Sequence, residues 1–137
     1  ARWCGEHPGA LSPESCLSVD GSGTLFPSLG EVRGMYTLYA PLSSTTPGVL
    51  ADPLALPHEL DFARKVSEKG SPVISLSEEG DEIVVTLENG VRLLYRKGDE
   101  EGAYTRLFSA ENVLPLTDES LAYVDARFAG RLYFKKK

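Results

Sequence analysis

The chain has 137 residues, of which 42% are hydrophobic and 25% charged, and its formal net charge at pH 7 is −6. This length and composition are typical of one globular domain with a real core. The acidic balance argues against a broad nucleic-acid-binding surface, which needs an excess of Lys and Arg. No apolar run approaches the roughly 20 residues that span a bilayer. Because an initiator Met and a signal-peptide pattern are also missing, we expect a soluble fragment cut from a longer precursor.

Two cysteines, Cys4 and Cys16, flank a loop that contains Pro8 and Pro13. A disulfide between them would stabilise the fold by about 3 kcal/mol, because it restricts the unfolded chain. Free structural thiols and a metal or redox site are the alternatives. The sequence has no CxxC motif, however, and His7 alone does not complete a set of metal ligands. We predict a disulfide, which would place the domain outside the cytoplasm.

Residues 16–39 predict short strands around turns. We expect strands at residues 16–20, 24–26 and 35–39, with a turn at Asp20-Gly-Ser-Gly. The glycines of that turn also suggest a phosphate loop, but no Gly-Lys-Ser/Thr follows, so a hairpin turn is favoured. Residues 41–53 are rich in Ser, Thr, Pro and Gly, which indicates an irregular connection or a mobile loop.

Two helices are predicted. The first covers residues 57–69, where Pro57 fits the first helical position, Glu59 suits the positive end of the helix dipole and Gly70 ends the helix. The residues expected on its buried face are Leu56, Leu60, Ala63 and Val66, with Phe62 nearby. The second helix covers residues 102–114 and stops at Pro115. Its expected buried residues are Tyr104, Leu107 and Phe108.

The clearest β signal is a hairpin around Asn89-Gly90. A two-residue loop at Asn-Gly would put arginines on the apolar face of the hairpin. A three-residue loop of Glu88, Asn89 and Gly90, with Gly90 in the left-handed bulge position, puts every apolar side chain on one face. The facing pairs predicted by this loop are Leu87 with Val91, Val85 with Leu93, and Ile83 with Tyr95.

Carboxylates are concentrated at residues 78–82 and 99–101. Neither run has EF-hand spacing, and both fall where turns need solvated residues, so we expect no calcium or acid/base site there. His58 lies at a helix start and is assigned no role. The sequence offers no nucleophile beside a base, no paired acids at a cleft and no metal-ligand set, and therefore predicts no enzyme, no metal and no cofactor.

The chain ends in an aromatic, β-branched run in which Gly130 separates two predicted strands, 121–128 and 131–135. A terminal strand often lies at a sheet edge, where unpaired backbone groups accept a partner strand. Asp125 and Arg127 share one face of the first strand, either as an exposed ion pair worth at most about 1 kcal/mol or as a polar anchor beside the edge. We favour a mixed role. Residues 135–137, all lysine, are expected to be a solvated tail.

The order of elements predicts a single α+β domain over residues 1–137. We expect two helices packed on a largely antiparallel sheet, with the C-terminal strand at a sheet edge.

The terminal motifs point to a family. Tyr123-Val-Asp-Ala-Arg-Phe128, followed by Gly130-Arg-Leu-Tyr-Phe-Lys135, resembles the I/V-D-L-R-F and G-R-V-x-V-K motifs that end the β domain of the bacterial cell-division family FtsQ/DivIB. Val19-Asp-Gly-Ser-Gly-Thr-Leu-Phe26 is similar to that family's V-D-x-x-G-x-V-F hairpin, and Ala1-Arg-Trp3 to its A-x-W strand. Ala126 departs from the family's Leu, the loop between the cysteines is unusual, and residues 41–53 look like an insertion. The resemblance implies that this chain is a fragment without the family's transmembrane helix and POTRA domain.

The resemblance implies a non-enzymatic scaffold on the extracytoplasmic face of the bacterial cell membrane, anchored by a single span in the full-length protein. The implied partners are membrane-anchored division proteins like FtsB/DivIC and FtsL, bound by strand addition at the C-terminal edge, with no small-molecule substrate. The residues that inherit the partner-binding role are Arg127, Phe128, Arg131, Tyr133 and Phe134. The alternative is an unrelated envelope or secretion-system domain that also binds proteins by strand addition.

Overall fold

The structure is a computed structural model, and it describes residues 1–27, 36–69, 71–109, 121–129 and 131–137. The described strands form one nine-stranded sheet in the order β3-β2-β1-β4-β5-β6-β7-β8-β9. The strands are β1 (Arg2–Trp3), β2 (Leu17–Val19), β3 (Leu25–Pro27), β4 (Thr37–Tyr39), β5 (Val73–Glu79), β6 (Glu82–Leu87), β7 (Arg92–Arg96), β8 (Leu121–Asp125) and β9 (Tyr133–Lys136). The α-helices are α1 (Leu56–Lys69) and α2 (Glu100–Phe108), and a single turn of 3₁₀-helix covers Pro13–Ser15.

The sheet is mixed, so the prediction of a largely antiparallel sheet was wrong. The pairs β1–β4, β4–β5 and β7–β8 are parallel, and the other neighbouring pairs are antiparallel. Turn motifs reveal hairpins, which are antiparallel by construction. Parallel neighbours instead need a crossover connection, and here α1 lies between β4 and β5 in the chain while α2 lies between β7 and β8. The helices therefore serve as crossovers within the sheet.

Both helices pack on one face of the sheet, because α1 contacts α2 and β5 while α2 contacts β7. Helix α1 begins at Leu56, one residue earlier than predicted, and buries Leu56, Glu59, Phe62, Ala63 and Val66. Leu60 is only partly buried, and the predicted cap at residue 70 lies outside the described residues. Helix α2 starts two residues earlier than predicted and ends at Phe108, because Ser109 already has an extended backbone (φ −68°, ψ 152°). The predicted continuation over residues 110–114 is not among the described residues.

The hairpin between β6 and β7 has the predicted three-residue loop. The Leu87 N–H donates to the Val91 carbonyl at 2.9 Å, and the Gly90 N–H donates back to the Leu87 carbonyl at 2.9 Å. Gly90 has φ +90°, the left-handed conformation that glycine adopts without steric cost. Val85 pairs with Leu93 and Ile83 with Tyr95, as predicted, and all of these apolar side chains are buried.

The glycine-rich turn between β2 and β3 is a hairpin turn, as predicted. The Asp20 carboxylate accepts hydrogen bonds from the backbone N–H groups of Ser22, at 2.9 Å, and Thr24, at 3.1 Å. These bonds explain why the turn contains Asp. Methionine 35, the expected start of the next strand, lies outside the described residues.

Cys4 and Cys16 form a disulfide, which confirms the prediction. The bond joins the residue after β1 to the residue before β2, and both half-cystines are buried. Beside it the indole N–H of Trp3 donates to the Ala40 carbonyl at 2.8 Å. The two-residue strand β1 is thus fixed by a covalent bond on one side and by a side-chain hydrogen bond on the other.

Candidate protein-binding edge

The two C-terminal strands are shorter and differently placed than predicted. Strand β8 ends at Asp125, and β9 begins at Tyr133. The intervening residues form the connection between the strands, although the Ala126 N–H still bonds to the Leu94 carbonyl of β7 at 2.7 Å. Residues 135–137 are exposed, as expected of a solvated tail, but Lys135 and Lys136 also belong to β9 and pair with β8.

Strand β9 is the last strand of the sheet, and no described residue bridges to its outer side. The backbone N–H and C=O groups of a strand point alternately to its two neighbours. The Ala126 N–H bonds to β7, so the backbone groups of the preceding residue, Asp125, point to β9. Asp125 pairs with Tyr133, whose backbone groups therefore point back to β8. The next residue, Phe134, therefore directs its N–H and C=O outward. The exposed edge thus offers both a donor and an acceptor to an added strand.

Aromatic side chains flank this open edge on both faces of the sheet. Tyr133 lies opposite Asp125 and Phe134 opposite the buried Val124, so the two rings point to opposite faces. They are 48% and 52% exposed. Phe128, also exposed, meets the Tyr133 ring edge-on at a centroid distance of 5.9 Å, and an Arg131 amino group donates to the Tyr133 hydroxyl at 3.3 Å. An added strand would cover apolar surface on either side of its backbone.

Arg127 is bound by two carboxylates of the chain itself. Its Nε and one amino group donate to the two oxygens of Asp125 at 2.8 and 2.6 Å, and its other amino group donates to Glu82 at 2.7 Å. Asp125 is only 6% exposed, so the interpretation as an exposed ion pair was wrong. The hydrogen bonds from Arg127 outweigh burial and lower the pKa of Asp125.

The same guanidinium orients an aromatic ring of the edge. Arg127 lies 5.5 Å from the centroid of the Phe128 ring, and Arg96 of β7 lies 5.8 Å from it. Cations at this distance attract the ring face. Phe128, which makes the edge-on contact with Tyr133, is therefore held by two arginines. Arg127 thus links the aromatic edge to the ion cluster that it forms with Asp125 and Glu82.

A depression of about 350 Å³ lies on the sheet face opposite the helices, next to this ion cluster. Val84 and Leu94 contribute apolar surface from β6 and β7, and Tyr123 contributes from β8. The charged residues around them are Glu79, Glu82, Arg92, Asp125 and Arg127. The binding edge is thus bordered by a shallow, mixed apolar and charged surface.

A buried carboxyl group in α1 was missed by the sequence reasoning. Glu59 is 1% exposed, and neither of its oxygens has a hydrogen-bond partner among the described residues. Burial, followed by the nearby charge of Glu78, raises the pKa of Glu59 to about 9. Glu59 lies in the first turn of α1, as predicted. The spacing of Leu56, Glu59, Ala63 and Val66 also puts it on the buried face, and that spacing was the available signal.

Glu78, expected in a solvated turn, lies inside β5 and is buried. It is bound by the Lys97 ammonium group, which also reaches Asp52 at 3.0 Å. Burial disfavours the charged form of Lys97, but the hydrogen bonds to Glu78 and Asp52 outweigh it and raise the pKa of Lys97. This second ion cluster, formed by Asp52, Glu78 and Lys97, joins the segment before α1 to β5 and to the connection between β7 and α2.

Among the described residues no group of His, Cys, Asp and Glu is arranged to hold a metal ion. Neither described helix has both the length and the hydropathy of a membrane span. No protein-family model matches the chain, and no curated protein sequence matches it. The resemblance to FtsQ/DivIB therefore stays a prediction based on the quoted motifs.

Proposed function

We propose that this domain is a protein-binding scaffold that captures an extended segment of a partner by strand addition to the outer edge of β9. The open edge carries the proposal: Phe134 directs its backbone groups outward, and aromatic side chains flank the strand on both faces. In strand addition the backbone hydrogen bonds supply affinity, and pockets for alternate side chains supply specificity. At this edge the outward backbone groups of Phe134 would supply the hydrogen bonds, and the exposed rings of Tyr133 and Phe134 would contact side chains of the added strand.

The resemblance to FtsQ/DivIB extends the proposal to a process and a location. The domain would be a non-enzymatic scaffold of the bacterial division machinery on the extracytoplasmic face of the membrane, with partners like FtsB/DivIC and FtsL. The disulfide between Cys4 and Cys16 supports a compartment outside the reducing cytoplasm.

The predicted site residues divide into two roles in this proposal. Tyr133 and Phe134 contact the added strand with their side chains, and Arg131 orients Tyr133 through its hydroxyl. Phe128 borders the same edge, and Arg127 holds Phe128 in place while it neutralises Asp125. Arg127 thus acts on the partner through Phe128.

The proposal is tested by titrating the chain with the extracytoplasmic segment of an FtsB-like protein. Phe134→Pro removes the outward N–H without touching the bonds to β8, and Phe134→Ala removes only the ring. We expect Phe134→Pro to weaken binding by 10-fold or more, at least about 1.4 kcal/mol, and Phe134→Ala to weaken it less. Equal affinity of the wild type and Phe134→Pro would refute strand addition at β9.

Tyr133→Lys tests the aromatic contribution on the sheet face opposite the Phe134 ring. Unchanged affinity would show that Tyr133 is not part of the site.

Co-purification with candidate membrane-anchored proteins separates a division scaffold from an unrelated envelope or secretion-system domain. If a partner unrelated to division is captured in a manner that Phe134→Pro abolishes, the mechanism stands and the division assignment is wrong.

A further inference from the structure

The sheet has a second terminal strand, β3, and its outer edge is closed. The Asp20 N–H bonds to the Thr24 carbonyl at 3.1 Å, so Thr24 faces β2. By alternation, the backbone groups of Leu25 and Pro27 point outward, and those of Phe26 point to its partner on β2. The outward positions of β3 are therefore Leu25 and Pro27.

Neither outward position has a free N–H group. The Leu25 N–H donates to the Gly48 carbonyl at 2.8 Å, and Pro27 has no backbone N–H to offer. The Leu50 N–H also donates to the Gly23 carbonyl at 3.0 Å, and Thr24 forms an antiparallel bridge with Val49. Within residues 41–51, residues 48–50 thus lie where an added strand would lie beside Thr24 and Leu25.

This covering segment is itself a small hairpin. Leu42 bridges to Leu50, the Ser43 N–H donates to the Val49 carbonyl at 2.8 Å, and the Ala51 N–H donates to the Pro41 carbonyl at 2.9 Å. Leu50 is buried in the core. We call residues 41–51 the edge cap.

The contact continues after the edge cap. Gly23 lies so close to Pro53 that a Cβ atom at position 23 would be 2.5 Å from the Pro53 Cβ. Gly23 also has φ +81°, a conformation that favours glycine. The β2–β3 turn and the chain after the cap are therefore packed against each other without a gap.

We propose that the edge cap makes strand addition one-sided, by preventing β3 of one copy from accepting β9 of another. A sheet with an acceptor edge at each end pairs head to tail, and such heterologous contacts build open filaments unless they close into a ring. Closing β3 with residues 41–51 and Pro27 leaves β9 as the available edge among the strands that the structure describes. This inference rests on the proposed strand addition at β9, but not on the identity of the partner.

Amide hydrogen exchange of the unaltered chain tests the first step. We expect the Leu25 amide to exchange at least about 100-fold more slowly than the Phe134 amide, because hydrogen bonding in folded structure protects against exchange. Equal exchange rates at the two positions would overturn the inference without requiring any variant to fold.

Sedimentation of an uncapped variant tests the second step. Residues 43–49 are replaced by Gly-Ser-Gly and combined with Pro27→Val, which restores an outward N–H. We expect a monomeric wild type and a variant whose average mass rises about two-fold or more with concentration. Adding Phe134→Pro should return the variant to a monomer, whereas the matched Phe134→Ala should not.

Two results would overturn the proposal. One is an uncapped variant with native near-UV circular dichroism that stays monomeric at high concentration. The other is self-association that Phe134→Pro leaves unchanged. If the linker variant does not fold, Gly48→Pro in the Pro27→Val background gives the same test. Proline does not fit the φ of +72° at position 48 and would displace the carbonyl that binds Leu25.

Discussion

The Arg127 guanidinium binds both carboxylate oxygens of Asp125, two residues earlier in the chain, and reaches Glu82 on β6 with its remaining amino group. Strand β7 lies between β6 and β8, so one side chain bridges β6 and β8 across β7. The buried Asp125 carboxylate depends on this partner, because an unpaired charge in a poorly solvated site is costly. Arg127 is therefore first a structural residue and, through Phe128, a neighbour of the binding edge.

Replacing Arg127 with Ala should lower the free energy of unfolding by about 2 kcal/mol, because it leaves the Asp125 carboxylate buried and unpaired. Urea denaturation at pH 7 measures the loss. The matched control is Arg131→Ala, an exposed arginine of the same region, which should change stability by less than about 0.5 kcal/mol. In the Asp125→Asn background, the loss from Arg127→Ala should be smaller. Equal losses in the two backgrounds would contradict the pairing.

Glu59 should make stability depend on pH. Its pKa rises from an ordinary value of 4.5 to about 9 in the folded state, so between those values the folded state holds a proton that the unfolded state has released. The free energy of unfolding should therefore fall as pH rises from about 5 to 9, by up to about 1.4 kcal/mol per pH unit from this group.

Denaturation of Glu59→Gln from pH 5 to 9 measures this contribution. The variant should show a flatter fall than the wild type and should be the more stable protein at pH 8. Glu68→Gln, an exposed carboxylate on the same helix, should keep the wild-type slope. A Glu59→Gln curve parallel to the wild-type curve would show that Glu59 does not bind a proton in the folded state.

Reduction of the disulfide should destabilise the chain by about 3 kcal/mol. The bond joins two cysteines that are 12 positions apart and so restricts the unfolded chain. Thiol titration of the unreduced chain should detect no free thiol, and denaturation of Cys4→Ser/Cys16→Ser should give the stability loss. Two reactive thiols in the chain purified without reductant would refute the bond.

Two glycines with similar φ angles should respond differently to alanine. Gly90 (φ +90°) has no atom within 4 Å of an added Cβ, whereas at Gly23 (φ +81°) the added Cβ would collide with Pro53. Gly90→Ala should cost about 1 kcal/mol, the strain of a left-handed alanine. Gly23→Ala should cost about 2 kcal/mol more, because the edge cap and the chain after it must move. Equal losses in thermal or urea denaturation would show that residues 50–53 do not pack on the turn.

Local chemistry made several features predictable. The three-residue loop at Gly90 follows from keeping the apolar side chains of β6 and β7 on one face, and the Asp20 turn follows from the preference of Asp and Gly for such turns. The limits of α1 follow from Pro57 and the apolar spacing to within one residue. The disulfide follows from the position of two cysteines in a short loop. Each of these depends on residues close together in the chain.

Long-range pairing decided the rest. The mixed sheet arises because β1, β4 and β5, which are far apart in sequence, lie side by side, and no turn motif records such neighbours. The burial of Glu59 and Glu78 depends on Lys97 and on the packing of α1 over β5. Arg127 is bound to Glu82, 45 positions away, so its partner could not be read from the local motif.

Turn chemistry and apolar periodicity act over a few residues, so the hairpins, the helices and an aromatic strand at the chain terminus could be predicted from local patterns. Which terminal strand of the described sheet is open depends on long-range contacts. Closing β3 requires the Gly48 carbonyl to meet the Leu25 N–H across 23 positions of sequence. A backbone hydrogen bond of that kind carries no side-chain signature, so it becomes visible only when the chain is folded.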